Sequence, residues 1–283
     1  MKIGVTGATG QLGRLVISEL KKRTSSDNIV ALVRTPEKAS DLGVATVAFD
    51  YSKPEQLENA LAGVHNLLLI SSNEIGQRAP QHKNVIEAAQ KAGVKWIVYT
   101  SLLHADTSTL NLAGEHLATE TMLKESGIDY TVLRNGWYSE NYTVSVPGAL
   151  AGGAFLGSAA NAKIASAARA DFAEAAAVVL TSENHKGKVY ELAGDEAYTL
   201  TDLATEISKQ TGKDIAYKNL PEAEYAAILK SFGLPEGLAD GLASWDVSAS
   251  KGDLYNDGKQ LSALIGRATT PISASVAETL KTA

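Results

Sequence analysis

The chain has 283 residues, no cysteine and a formal net charge of −6. The missing thiols exclude disulfides, thiolate catalysis and cysteine-ligated zinc or iron–sulfur centres. The acidic balance lacks the basic footprint that nucleic-acid binders need, and the length suits one large domain with a smaller appended lobe.

Met1-Lys2 leads straight into Ile3-Gly4-Val5-Thr6-Gly7, too polar and glycine-rich for a secretory core. Apolar runs such as Leu67-Leu68-Leu69-Ile70 are too short to cross a bilayer. The expectation is a cytoplasmic protein without membrane insertion.

In chain order, Lys2–Thr6 predicts a strand, and Gln11–Arg23 a helix with Leu12, Leu15, Val16 and Leu20 at helical spacing. Asn28–Val33 is a second strand, Pro36–Leu42 a short helix opened by proline, Thr46–Phe49 a third strand and Pro54–Leu61 another short helix. Asn66–Ile70 is the fourth strand, followed by a helix over Ala79–Ala92 that stops at Gly93. Lys95–Thr100, a helix over Ala113–Glu125 and Tyr130–Leu133 complete the regular half. Beyond it, Pro147–Gly153 has the composition of a connector. Helices are expected over Asp171–Leu180 and Leu200–Gln210, strands over Val189–Leu192 and Ile215–Lys218, and mostly helix thereafter.

Strand–helix alternation demands parallel pairing, because parallel neighbours need a crossover. The predicted class is therefore α/β, a Rossmann-type doubly wound parallel sheet with a smaller C-terminal substrate-side lobe. Residues 1–136 form the Rossmann domain, with later segments free to rejoin it, and residues 137–283 the mostly helical lobe. In such sheets ligands bind beyond the carboxyl ends of the strands.

The turn after the first strand reads Thr6-Gly7-Ala8-Thr9-Gly10-Gln11-Leu12-Gly13. Glycines at this three-residue spacing, between a strand and a helix, let the backbone approach a pyrophosphate closely. The free N–H groups and the helix dipole then stabilise its charge. Without Gly-Lys-Ser/Thr, a Walker A loop is disfavoured. Arg34 ends the second strand, where an acidic residue would select NAD; its guanidinium suits the 2′-phosphate of NADP(H). The alternative is a solvated surface arginine. Asp50 either accepts from the adenine amino group or is a turn residue before Tyr51-Ser52-Lys53-Pro54.

The loop Thr6–Gly13, Arg34-Thr35-Pro36 and Leu68-Leu69-Ile70-Ser71-Ser72 together resemble the NmrA-like, atypical branch of the short-chain dehydrogenases. Tyr99–Asp106, Val189–Gly194 and above all Leu133-Arg134-Asn135-Gly136-Trp137-Tyr138-Ser139-Glu140-Asn141-Tyr142 are similar to its bacterial NAD(P)H:quinone oxidoreductase members. The resemblance implies that Gly7, Ala8, Thr9, Gly10, Gln11, Leu12 and Gly13 hold the pyrophosphate. It places Ser71, Ser72 and Asn73 near a ribose, and Asn135, Gly136, Trp137 and Tyr138 near the nicotinamide. It also implies hydride transfer to a quinone; a non-catalytic NADP(H) redox sensor is the alternative.

The Tyr-x-x-x-Lys pair of ordinary short-chain dehydrogenases is absent; its place holds His116-Leu117-Ala118-Thr119-Glu120. His116 and Glu120 share one helix face. His116 is a candidate general acid, its alternative a solvated or Glu120-paired residue. Tyr138 is a candidate for stacking on the quinone or donating to its oxygen, its alternative a packing aromatic. Ser101 orients the ligand, and Arg169-Ala170-Asp171 reads as an ion pair at a helix start. Gln77, Arg78 and His82 either line the pocket or fix the loop after the fourth strand. Five scattered histidines show no metal spacing, and hydride can pass directly from nicotinamide to quinone without a flavin. The sequence leaves the oligomeric state open, a homo-oligomer included.

Overall fold

The computed structural model describes residues 1–282. Seven parallel strands form one sheet in the order β3-β2-β1-β4-β5-β6-β8. They are β1 (Ile3–Thr6), β2 (Ile29–Val33), β3 (Ala45–Ala48), β4 (Asn66–Leu69), β5 (Trp96–Leu102), β6 (Asp129–Asn135) and β8 (Val189–Leu192). After β3 the chain crosses back to β4 on the other side of β1, so the topological switch point lies between β1 and β4.

Alternation along the central strands divides the core. Val5, Leu68 and Val98 point to one face with Val16, Phe172 and Leu180, under α1 (Gln11–Lys21) and α7 (Arg169–Thr181). Leu67, Leu69, Ile97 and Tyr99 point to the other face with Leu57, Val85 and Leu123, under α2 (Pro54–Ala60), α3 (Arg78–Ala92) and α4 (Ala113–Glu125).

The lobe has its own core of Tyr142, Phe155, Leu203 and Ile207, continuous with Leu102 at the end of β5. Around it pack α5 (Glu140–Thr143), α6 (Val146–Gly152), β7 (Ala154–Gly157), α8 (Leu200–Thr211), β9 (Ala216–Asn219) and α10 (Glu236–Ser250). It also includes α9 (Glu222–Ser231) and α12 (Ile272–Thr282), and β7 pairs with β9 in a two-stranded parallel sheet.

Later segments rejoin the large domain, as the sequence left open: β8 pairs with β6, with Val132 opposite Val189. Helix α7 and the short α11 (Gln260–Ile265) supply Phe172, Leu180 and Leu261 to its core. One sequence expectation changes: Pro147–Gly153 is no connector. Val146 and Ala149 are buried, Pro147 sits in the first turn of α6, and Gly153 closes the helix at φ 73°; burial of one face overrides the breaker composition.

Candidate functional site

A cleft of about 810 Å³ runs along the carboxyl ends of β2, β1, β4, β5 and β6. At its first end, Gly7 takes φ +58° and its carbonyl accepts the N–H of Gly10 at 2.9 Å. No side chain caps α1 at Gly10, so its first N–H groups stay open toward the cleft. Gly7, Thr9, Gly10, Gln11 and Leu12 line this end. Ala8 and Gly13 do not: both are buried. A Cβ on Gly13 would stand 2.3 Å from the Gly7 oxygen and 2.7 Å from Ala8 Cα, so this glycine lets the helix seat on the turn.

Arg34 borders the same end with its side chain 63% exposed, and its Nη1 lies 2.9 Å from Glu74. Arg14, which the sequence did not single out, also lines it and donates to Asp41 at 2.6 Å and to the Lys38 carbonyl at 2.8 Å. Asp50 reaches the cleft, but its Oδ1 accepts the N–H of Ser52 at 3.0 Å, the geometry of the turn alternative.

In mid-cleft the loop after β4 is fixed from below. The N–H of Ser71 donates to Thr100 Oγ1 at 2.9 Å. The N–H of Ser72 donates to His82 Nε2 at 2.9 Å, its carbonyl accepts from Arg78 Nε at 2.6 Å, and its hydroxyl is bonded to Gln81. Arg78, Gln81 and His82 are all buried. His82 fixes the loop and does not line the cleft, whereas Arg78 and Gln81 do both. Ser71, Ser72 and Asn73 all face the cleft.

The far end holds the segment after β6. Asn135 is 5% exposed and donates weakly, at 3.5 Å, to the Tyr138 hydroxyl. Its Oδ1 is buried without a hydrogen-bond partner among the described residues, an orphan acceptor at the cleft wall. The Tyr138 ring packs edge-on against Phe172, and the Arg169 guanidinium lies 4.6 Å above it. Trp137 packs against Trp245 of α10, so lobe and sheet meet here.

His116 lines the cleft but is 6% exposed. Arg78 has only donors, so His116 Nε2 accepts from it at 3.4 Å and the opposite nitrogen contacts the Tyr99 hydroxyl at 2.8 Å. Burial first, then the Arg78 charge, pull its pKa down to about 3. With the acidic imidazolium form suppressed near neutral pH, the one N–H of the neutral ring is far too weak an acid for the general-acid role expected from the sequence. Its alternatives, solvation or pairing with Glu120, do not hold either. Glu120 instead accepts from Ser101 at 2.6 Å and from Arg134 Nε and Nη2 at 3.0 and 2.8 Å. Arg134 also pairs with Glu191 and Asp106, at 2.8 and 3.0 Å. The expected Arg169–Asp171 pair is absent among the described residues: Glu140 accepts the Arg169 N–H at 3.0 Å, and Asp171 takes Arg267 at 2.7 Å.

Glycine cradle, parallel sheet and cleft together are a dinucleotide site, and a family model described as NAD(P)H-binding matches residues 7–183. The chain is 60% identical over 277 residues to quinone oxidoreductase 2 of Escherichia coli strain K12, covering 97% of each. It is 29% identical to an NmrA-like family domain-containing oxidoreductase of Aspergillus flavus, over 96% of this chain and 92% of that one.

The chain belongs to the NmrA-like NAD(P)H-binding family.

Its backbone superposes at a TM-score of 0.96 on the crystal structure of an NADPH-dependent quinone oxidoreductase from Escherichia coli complexed with NADPH. The two are 59% identical, with 98% of this chain and 99% of that one covered. His116 and Glu120, one turn apart on α4, are both turned to internal hydrogen bonding. Sequence reasoning missed the Ser101–Glu120–Arg134 clamp, although the shared helix face of residues 116 and 120 was the available signal.

Proposed function

We propose that this chain is an NADPH-dependent quinone reductase. The observation that carries the reading is the cleft's division of labour. A backbone cradle lies at one end, and an aromatic and apolar acceptor end lies at the other. When bound, NADPH supplies a hydride from its dihydronicotinamide ring.

The open N–H groups of Gln11 and Leu12, at the start of α1, hold the pyrophosphate. Arg34 takes the 2′-phosphate once it releases Glu74, with Lys38 and Arg14 adding positive charge. The orphan Oδ1 of Asn135 accepts a carboxamide N–H and so fixes one face of the nicotinamide. Leu102, Leu112, Trp137 and Tyr138 wall the acceptor end, and the contribution there is alignment and exclusion of water. A ketone would need a proton donor at the place of His116. A quinone is electrophilic enough to accept hydride without one. Among the described residues no helix is long and apolar enough to cross a membrane.

The test is NADPH oxidation with a panel of quinones, followed by loss of dihydronicotinamide absorbance alongside a direct NADPH titration. Turnover with at least one quinone is expected. Tight NADPH binding with no turnover on any quinone transfers the reading to a redox sensor.

A further inference from the structure

The two charged side chains that flank His116 are treated differently by their surroundings. On one side, Glu120 is matched by Arg134 through two contacts at 2.8 and 3.0 Å. On the other, Arg78 opens α3 with its side chain 8% exposed and borders the cleft. Its Nε is bound to the Ser72 carbonyl and its Nη1 to a neutral imidazole. The one carboxylate within 4 Å among the described residues is Glu115, at 3.8 Å. Both oxygens of Glu115 are already taken, by the N–H groups of Arg78 at 3.0 Å and Gly76 at 3.1 Å. Arg78 Nη2 makes no hydrogen bond within the described residues. Burial lowers the pKa of this guanidinium from its ordinary value, the mark of a charge its surroundings do not fully offset.

A buried cation costs free energy unless a counter-charge meets it. The Ser72 and His116 contacts place Arg78 in mid-cleft, on the β4–β5 side of the switch point and between the phosphate cradle and the acceptor end. The N-terminus of α3 adds positive potential at the same point. Resting on the quinone-reductase reading, we propose that Arg78 is the cation that stabilises the reduced quinone's oxyanion at the acceptor end. In the reaction the dihydronicotinamide C4–H bond breaks, and its hydrogen with both electrons passes to the quinone. NADPH is oxidised to NADP⁺ and the quinone is reduced. One carbonyl oxygen becomes a hydroxyl, and the other becomes a phenolate-like anion that later takes a proton from water. Arg78 meets that anion with a preorganised N–H donor, an interaction weaker with the neutral quinone carbonyl and therefore one that favours the charge-developing state.

The test uses para-nitrophenol, whose anion absorbs in the visible, and its neutral isostere para-nitroanisole, each titrated against the full chain saturated with NADP⁺. The wild-type protein should bind the anion about tenfold or more tighter than the ether and lower the apparent phenol pKa. Arg78→Met should abolish both effects, and Arg78→Lys should restore part of them, each titrated at an NADP⁺ concentration that saturates that variant, because the side chain also holds the Ser72 carbonyl. Equal wild-type affinity for the two probes, or binding of neither, overturns the proposal without needing any variant. A loss confined to NADPH affinity in Arg78→Met also overturns it and assigns the cation to the cofactor. Quinone turnover by the wild type is measured separately, so the quinone-reductase reading stands or falls on its own.

Discussion

At the phosphate end of the cleft, recognition is offered by backbone: a glycine at φ +58°, an uncapped helix start and one exposed arginine. At the acceptor end it is offered by side chains from β5, α3, α4 and β6, most of them buried and several tied to one another before any ligand arrives. The first end comes from the β1–α1 turn and the tip of the neighbouring β2; the second exists only after the sheet, two helices and the lobe have packed. Backbone recognition tolerates variation in side chains but not in volume at the turn. Side-chain recognition tolerates neither a lost partner nor a changed protonation state.

The largest effect should come from breaking the backbone end. Gly13→Val places two methyls where even a Cβ lies 2.3 Å from the Gly7 oxygen. It should cost about 3 kcal/mol of stability and remove detectable NADPH binding, as thermal melting and fluorescence titration will read. Normal binding by a folded variant would mean that the turn does not carry the pyrophosphate.

At the acceptor end the sharpest probe is pH. His116 has a folded pKa of about 3, against about 6.5 in the unfolded chain. Between these values the unfolded state binds the extra proton, so stability is unaffected above about pH 6.5 and falls on acidification below it. At about pH 5 the loss from this group is about 2 kcal/mol. His116→Asn should reduce the stability difference between about pH 7.5 and 5 by that amount in denaturant unfolding. An unchanged difference would show that the ring is not buried and neutral.

The smallest effect discriminates between cofactors. Arg34→Ala should weaken NADPH by about tenfold or somewhat more, the loss of one charge-assisted contact partly offset by freeing Glu74. NADH should change by no more than about threefold. Equal losses for both would remove Arg34 from the 2′-phosphate and leave it as the surface arginine of the alternative reading.

The strand–turn–helix pattern and the glycine spacing were readable because each depends on neighbours a few residues apart. The termini of Ala113–Glu125 and Val189–Leu192 fall where periodicity puts them. Pro147–Gly153 was not readable, since its helix rests on Val146 and Ala149 being buried against elements far along the chain. At the site, the Arg134–Tyr142 run pointed to the acceptor end. No local signal announced that Arg134 would be surrounded by Glu120, Asp106 and Glu191, which are brought to it from α4, the loop after β5 and β8.

By itself, then, the amino-acid order determined the parallel α/β architecture, the dinucleotide turn and the arginine at the tip of β2, all set by local geometry and period. Tertiary structure alone decided that His116 is neutral and that, among the described residues, Asn135 Oδ1 has no partner and Arg78 is a buried cation without a close counter-ion. Charge state and hydrogen-bond satisfaction depend on burial and on partners distant in sequence, and only packing supplies these.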